Sequence, residues 1–88
     1  MQAQQPRKVI YRTNPAYPPA LKDNQIGGLV RILVVVTPGG GVKQTEDLGG
    51  NPALVTAAEA AVKQWKFEPA QNETREIVTL RFDPKKHR

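Results

Sequence analysis

The sequence predicts a small α+β domain with the element order β-α-β-β-α-β. A valine-rich run at residues 29–37 has the composition of a strand, and the Pro-Gly-Gly-Gly sequence at residues 38–41 is typical of a hairpin turn. An alanine-rich stretch at residues 51–65 repeats apolar side chains at helical spacing. We therefore expect a small antiparallel three-stranded sheet, joined by a short N-terminal strand and packed against two helices.

The first elements lie between prolines. Residues 8–11 form a short β-prone stretch, which ends at residues 14–15 (Asn-Pro) because the residue before proline prefers an extended backbone. The double proline at residues 18–19 suits a helix start, since proline is tolerated in the first helical turn. We expect one or two turns of helix, ending at the glycine pair 27–28.

The strongest strand signal, at residues 29–37, is apolar on both of its faces. One face carries Val30, Ile32, Val34 and Val36, and the other carries Leu29, Arg31, Leu33 and Val35. This pattern fits either a central strand that is covered on both sides or a strand whose second face meets a partner. After the turn, residues 42–48 return as a more polar strand.

The second helix is expected to begin at a cap and to end before Pro69. Asn51 is a good N-cap, and Pro52 suits the first helical position. The apolar stripe that follows predicts the buried face of this helix: Leu54, Ala58, Ala61 or Val62, and Trp65. We expect the helix to end within the Trp-Lys-Phe-Glu-Pro sequence of residues 65–69, with the Trp65 ring in the core.

A polar loop at residues 71–74 precedes the last strand, which we place at residues 77–83. Val78, Leu80 and Phe82 share one face of this strand, and Ile77, Thr79 and Arg81 share the other. A strand left at the edge of a sheet offers unpaired N–H and C=O groups, which can capture an extended peptide. Arg81 is suited either to pair with an acidic residue of that peptide or to discourage aggregation as an edge charge.

Length and charge limit the class of protein. The 88 residues make one domain, which we place at residues 7–84, after a disordered leader at residues 1–6 and before a basic tail at residues 85–88. The basic residues responsible for the net charge of +5 lie largely near the two ends of the chain. This distribution favours a role of the charge in solubility. Nucleic-acid binding is not expected, because it needs a clustered basic face and exposed stacking aromatics. The longest apolar run, residues 32–36, is too short to cross a bilayer.

The sequence lacks the side chains that an enzyme requires, so we predict no catalytic residue, no metal site and no cofactor. Glu46 and Asp47 are adjacent in a strand and point to opposite faces, which argues against a catalytic carboxylate pair. The single histidine, His87, lies in the tail, and there is no cysteine for a disulfide or a zinc site. The glycine-rich turn lacks the Lys-Ser/Thr of a phosphate-binding loop.

Five motifs in a fixed order connect these elements to a known family: Asn-Pro-Ala-Tyr-Pro at residues 14–18, Gly-Leu-Val at 28–30, Val-Thr-Pro-Gly-Gly-Gly-Val at 36–42, Ala-Glu-Ala-Ala-Val at 58–62 and Trp-Lys-Phe-Glu-Pro at 65–69. Over residues 7–83 the chain resembles the C-terminal domain of TonB, the energy transducer of the Gram-negative cell envelope. It is similar more distantly to the C-terminal domain of TolA. The last motif is the most specific, whereas Tyr-Pro alone is weak.

The resemblance implies a periplasmic protein-binding module that takes part in energy-coupled transport. In this family the domain captures the TonB-box peptide of an outer-membrane TonB-dependent receptor, by adding it as a strand beside the last strand of the sheet. Carried over to this sequence, the peptide-binding residues are Ile77, Val78, Thr79, Leu80, Arg81, Phe82 and Asp83, with Tyr17 and Pro18 close to them. For Tyr17 the sequence leaves two interpretations: its ring fills the core with its hydroxyl hydrogen-bonded, or it lines the peptide groove.

The sequence also departs from the family. Full-length members carry an N-terminal membrane helix and a Pro-rich periplasmic spacer, and this sequence contains neither. The resemblance therefore implies attachment to the inner membrane only through a segment absent from this chain. The alternative is a stand-alone relative with another role, such as a structural or assembly domain of the cell envelope that forms a homodimer through its edge strands. The turn at residues 38–41 has an extra glycine where the family commonly has an acidic or polar residue.

Overall fold

The computed structural model describes residues 7–85. Helices and strands follow one another in the order β1 (Val9–Tyr11), α1 (Pro19–Asp23), β2 (Gly28–Val36), β3 (Val42–Gly49), α2 (Pro52–Val62), β4 (Lys66–Phe67) and β5 (Thr74–Phe82). The leader predicted at residues 1–6 and residues 86–88 of the predicted tail, which include His87, lie outside the described residues.

The main sheet is antiparallel and has the strand order β3-β2-β5. The central strand is β2, and its register with β5 runs from Gly28 opposite Phe82 to Val36 opposite Thr74. Of the two apolar faces of β2, the one that carries Val30, Ile32, Val34 and Val36 is the core face, because these side chains are fully buried. The α+β fold predicted from the sequence, with an antiparallel three-stranded sheet and two helices, is therefore confirmed.

Helix α2 packs on the face of the sheet that carries Val30 and Ile32, which we call the helix face. The Asn51 side chain accepts a hydrogen bond of 2.9 Å from the Ala53 N–H, so the predicted N-cap is confirmed. The buried side of the helix consists of Leu54, Val55, Ala58, Ala61 and Val62. The opposite face of the sheet, which we call the open face, exposes Leu29, Arg31, Ile77 and Thr79.

The predicted C-terminal end of the second helix is wrong. The helix ends at Val62, and Lys66–Phe67 instead form strand β4, which pairs with β1 through Val9 opposite Phe67. The Phe67 N–H also donates to the Gly40 carbonyl at 2.8 Å. The physical reason is that side chains two residues apart on a helix point about 200° apart. An extended backbone instead turns both Trp65 and Phe67 into the core, where both are buried.

Two further boundaries differ from the sequence-based expectation. Helix α1 ends at Asp23, before the predicted glycines, because the backbone at Gln25 reverses with a φ of 58°. Strand β5 begins at Thr74, inside the predicted loop, since Thr74 is buried opposite Val36 at the start of the ladder. The strand ends at Phe82, so the predicted strand residue Asp83 lies just beyond it.

None of the helices within residues 7–85 is long and apolar enough to cross a membrane. The same residues contain no group of three or more His, Cys, Asp or Glu side chains that could hold a metal ion. Both findings concern the described part of the chain alone.

Candidate functional site

The last strand has one free edge among the described residues. β5 pairs with β2 along its whole length, and in residues 7–85 no strand pairs with its other side. The edge is nine residues long, longer than β1 or β4. Alternate residues of such an edge direct both their N–H and C=O groups outward, because an antiparallel strand bonds to its neighbour at every second residue. The edge is therefore a row of unpaired hydrogen-bonding groups.

An open groove of about 220 Å³ runs beside this edge. One side of the groove is formed by β5 at residues 76–80. Its floor is apolar and is formed by Val9, Trp65 and Phe67, and its charged side chains are Arg7, Arg12 and Glu76. Since Trp65 and Phe67 belong to the core under the helix face, the groove lies on the helix side of the edge.

Trp65 is fixed at the floor of the groove by its burial and by contacts with two residues, Thr13 and Arg12. Its side chain is 2% exposed, which confirms the predicted core position. The indole N–H donates a bond of 2.9 Å to the carbonyl oxygen of Thr13, whose own hydroxyl donates to the Ala61 carbonyl at 3.0 Å. The guanidinium carbon of Arg12 lies 4.7 Å from the centre of the Trp65 ring, a cation–π geometry.

Arg7 joins two loops at one end of the groove, the β2–β3 turn and the segment between β4 and β5. Its guanidinium donates to the carbonyl oxygens of Thr37 at 2.7 Å, of Glu68 at 3.2 Å and of Asn72. Its backbone N–H donates to the carboxylate of Glu76 at 3.3 Å, and Glu76 is itself buried. The charges of Arg7 and Glu76 are thus engaged within the fold.

Tyr17 lies away from the groove, in the core. Its hydroxyl donates to the Ile26 carbonyl at 2.6 Å, and its ring meets that of Phe82 edge to face with centroids 5.2 Å apart. Burial, and secondarily the charge of Asp83, raises the pKa of the Tyr17 phenol. Space here is tight, because a Cβ on Gly27 would stand 2.3 Å from the Phe82 carbonyl oxygen. This geometry favours the first of the two interpretations of Tyr17; its predicted role in peptide binding stays a prediction.

The remaining predicted peptide-binding residues fall into two groups. Ile77, Val78, Thr79 and Leu80 line the groove beside the edge. Arg81, Phe82 and Asp83 line a separate open cavity of about 330 Å³ at the end of β5, with Gln25, Gly27, Gly28 and Pro84. Pro18 lines neither; its carbonyl accepts from the N–H groups of Leu21 and Lys22 at the start of α1.

The open face presents apolar and basic side chains together. Leu33 lies opposite Ile77, and Leu29 lies opposite Arg81, so these residues share one face. Leu29 and Ile77 are each 58% exposed. Side chains of a strand added to β5 would alternate between this face and the groove.

Sequence reasoning missed several residues of the groove: Arg7, Val9, Arg12, Phe67 and Glu76. Glu76 could have been found, because it continues the inward alternation of Val78 and Leu80 toward the start of β5. Arg12 carried no signal in the sequence, since its contact is with Trp65, far along the chain.

Known proteins resemble this chain in both sequence and structure. The family described as the Gram-negative bacterial TonB protein C-terminal matches residues 13–84. Protein TonB of Escherichia coli (strain K12) is 30% identical over 77 residues, and Protein TonB of Klebsiella pneumoniae is 27% identical over 77 residues. Each alignment covers 85% of this chain and 32% of the relative, so the chain spans about a third of the length of these relatives.

A solved structure supports the fold. The solution NMR structure of the Pseudomonas aeruginosa TonB C-terminal domain superposes with a TM-score of 0.71 at 23% identity, covering 92% of this chain and 89% of that one. At this identity the likeness shows the fold, whereas the family match rests on sequence. Because that match spans most of the chain, the protein belongs to the family of Gram-negative bacterial TonB C-terminal domains.

Proposed function

We propose that this domain is a protein-binding module that captures an extended peptide of the TonB-box type, by adding it as a strand to the free edge of β5. The partner is such a segment of an outer-membrane TonB-dependent receptor, and the module acts in the periplasm as part of energy-coupled transport. The observation that carries the proposal is the unpaired edge of β5 beside a groove that has an apolar floor and charged sides. Membership of the TonB C-terminal family supports the choice of partner.

Recognition by strand addition uses two sets of contacts. Backbone hydrogen bonds to β5 supply affinity for any extended chain, and side chains set the register. One alternating set of peptide side chains enters the groove toward Val9 and Trp65, while the other lies beside Ile77 and Thr79 on the open face. A peptide with apolar side chains on its groove-facing set buries them against that floor.

The proposed activity needs no chemistry from the chain. Capture of a peptide requires a preformed edge and groove, with no catalytic group or cofactor, so we propose a non-enzymatic module whose folded unit is residues 7–84. In a full-length form, attachment to the inner membrane would be made by a segment outside this chain.

An NMR titration of ¹⁵N-labelled protein with a TonB-box-like peptide, at two salt concentrations, tests the proposal. We expect amide shifts concentrated on β5 and on the residues that line the groove, such as Val9 and Trp65. Because backbone bonds carry most of the affinity, the salt dependence should be weak, in contrast to the steep dependence of nucleic-acid binding. Absence of shifts at millimolar peptide would contradict the proposal.

A pair of N-methylated peptides distinguishes strand addition from other modes of binding. Only every second amide of an added strand bonds to the edge. Methyl groups on one alternating set of peptide amides should therefore abolish binding, while methyl groups on the other set should leave it nearly unchanged. Equal effects of the two peptides would show that the peptide does not bind as a strand.

A second candidate function uses the same edge of β5. It is favoured by the exposed Ile77 side chain beside this edge. Two copies of this chain could pair their β5 edges and form a homodimer, as expected of an assembly domain. Sedimentation at increasing concentration separates the two functions, because a dimer that closes this edge competes with the peptide. A monomer that binds the peptide supports the first function.

A further inference from the structure

The charged residues of the groove differ in whether other groups of the protein already bind them. The Arg7 guanidinium donates to three backbone carbonyls. Glu76 is buried, and its carboxylate accepts a hydrogen bond from the Arg7 backbone N–H. Arg12, by contrast, is exposed and makes no ion pair within residues 7–85. It is therefore the groove cation that remains available to an incoming ligand.

Trp65 holds the guanidinium of Arg12 in place. A guanidinium over an aromatic face is attracted by the ring, and its N–H groups can still donate to a carboxylate. The ring cannot move readily, since it is buried and its indole N–H is bonded to the Thr13 carbonyl. The contact with Trp65 restricts the Arg12 guanidinium, which lowers the conformational entropy lost when a carboxylate binds to its N–H groups.

The side of the sheet on which Arg12 lies determines which peptide residues it can reach. Arg12 lines the groove on the helix side, whereas Arg81 lies opposite Leu29 on the open face. Side chains of an added strand alternate between these sides. A carboxylate that meets Arg12 must therefore belong to the same alternating set as the apolar side chains that enter the groove.

We propose that Arg12 is a specificity-determining residue, which pairs with a carboxylate on the groove-facing set of the captured peptide. This inference rests on the proposed strand addition to β5 and names the chemistry of its ligand. The groove selects peptides in which an acidic residue and an apolar residue are two positions apart. An acidic residue on the other alternating set meets Arg81 instead and gains nothing from Arg12.

The test is a double-mutant cycle that uses peptides matched to the nine residues of β5 in length. Each peptide carries apolar residues at alternate positions and a single Asp, moved one position at a time, with an Asn peptide as its amide control. The proteins are wild type, Arg12→Gln, Arg12→Lys and, as the control at an exposed basic residue of the open face that lies outside the proposed binding site, Arg31→Gln. Dissociation constants are measured by calorimetry at low and high salt.

For Asp on the groove-facing set we expect Arg12→Gln to weaken binding roughly three- to tenfold, as for a partly exposed ion pair of good geometry. The Asn peptide should change less than about twofold, and added salt should shrink the difference. Arg12→Lys should retain part of the preference, because it keeps the charge and loses the planar fork. Arg31→Gln should leave the affinity for this Asp peptide unchanged.

Three other outcomes are informative. If both peptides bind wild type and Arg12→Gln equally well, the role of Arg12 is overturned while strand addition stands. If Arg12→Gln weakens the Asp and Asn peptides equally, Arg12 only supports the fold of the groove, and the inference again fails. If no peptide binds wild type, the proposed function itself fails.

Discussion

The indole N–H of Trp65 is hydrogen-bonded to the carbonyl oxygen of Thr13 at 2.9 Å, so a residue between α2 and β4 holds the N-terminal segment against the core. We predict that Trp65→Ala lowers the free energy of unfolding by about 3–5 kcal/mol, because it leaves a large cavity and an unpaired carbonyl. Urea unfolding followed by circular dichroism measures this loss. Replacement of the exposed Tyr11 by Ala is the control and should cost little. A stable Trp65→Ala variant would contradict the burial of this side chain.

Gly40 cannot accept a side chain, whereas its neighbour Gly39 can. Gly40 has a φ of +97°, and a Cβ there would lie 2.0 Å from the Phe67 carbonyl oxygen. We predict that Gly40→Ala destabilises the fold by more than the roughly 1–3 kcal/mol of backbone strain alone. For Gly39→Ala, whose Cβ would meet nothing nearer than 3.9 Å, thermal unfolding should show little change. Equal melting temperatures for the two variants would contradict the close approach of the turn to β4.

The elements that local patterns specify were predictable, and the contacts between distant segments were not. The alternation along residues 29–37 separated the two faces of β2 but did not show which of them is the core face, whereas Asn51 before Pro52 predicted the start of α2. The helical spacing of Leu54, Ala58 and Trp65 extended the predicted helix too far.

What ended that helix is non-local. Strand β4 exists because Phe67 pairs with Val9 and bonds to Gly40, and no window of neighbouring residues contains those partners. The same limit applies to the candidate site. The edge of β5 was expected from the resemblance to the TonB C-terminal family, but the contact of Arg12 with Trp65 and the bonds of Arg7 to two loops could not be predicted.

Alkaline pH should reveal the buried hydroxyl of Tyr17. Its pKa is raised above the ordinary value of 10.0, mainly by burial and in part by Asp83. The folded state therefore holds this proton more tightly than the unfolded state does, and its contribution to stability is complete below pH 10.0 and is lost as the pH rises through the folded-state pKa.

We predict that Tyr17→Phe is less stable than wild type near neutral pH, because the Ile26 carbonyl loses its donor. The difference between the two proteins should narrow as the pH rises above the ordinary pKa of 10.0, because the wild-type phenol then ionises on unfolding. Urea unfolding at each pH measures the difference, and Tyr11→Phe controls for the loss of an exposed phenol. A difference that stays constant with pH would contradict the raised pKa.

Arg7 should stabilise one end of the groove through the geometry of its guanidinium more than through its charge. Its bonds to the Thr37, Glu68 and Asn72 carbonyls require a planar fork, which lysine lacks. We predict that Arg7→Lys lowers the free energy of unfolding by about 1–3 kcal/mol, the range for hydrogen bonds to a charged group at a partly exposed site.

Hydrogen exchange locates the effect of Arg7→Lys. Protection should fall first at the Glu68 N–H, which bonds to the Lys8 carbonyl beside Arg7, while the β2–β5 ladder keeps its protection. Lys8→Ala is the matched control, because the bonds of Lys8 to Glu68 are made by its backbone and its side chain is exposed. If Arg7→Lys left both stability and local protection unchanged, the positive charge at residue 7 would be sufficient. The shape of the groove would then depend on β1 and β4 and not on the hydrogen bonds of the Arg7 guanidinium.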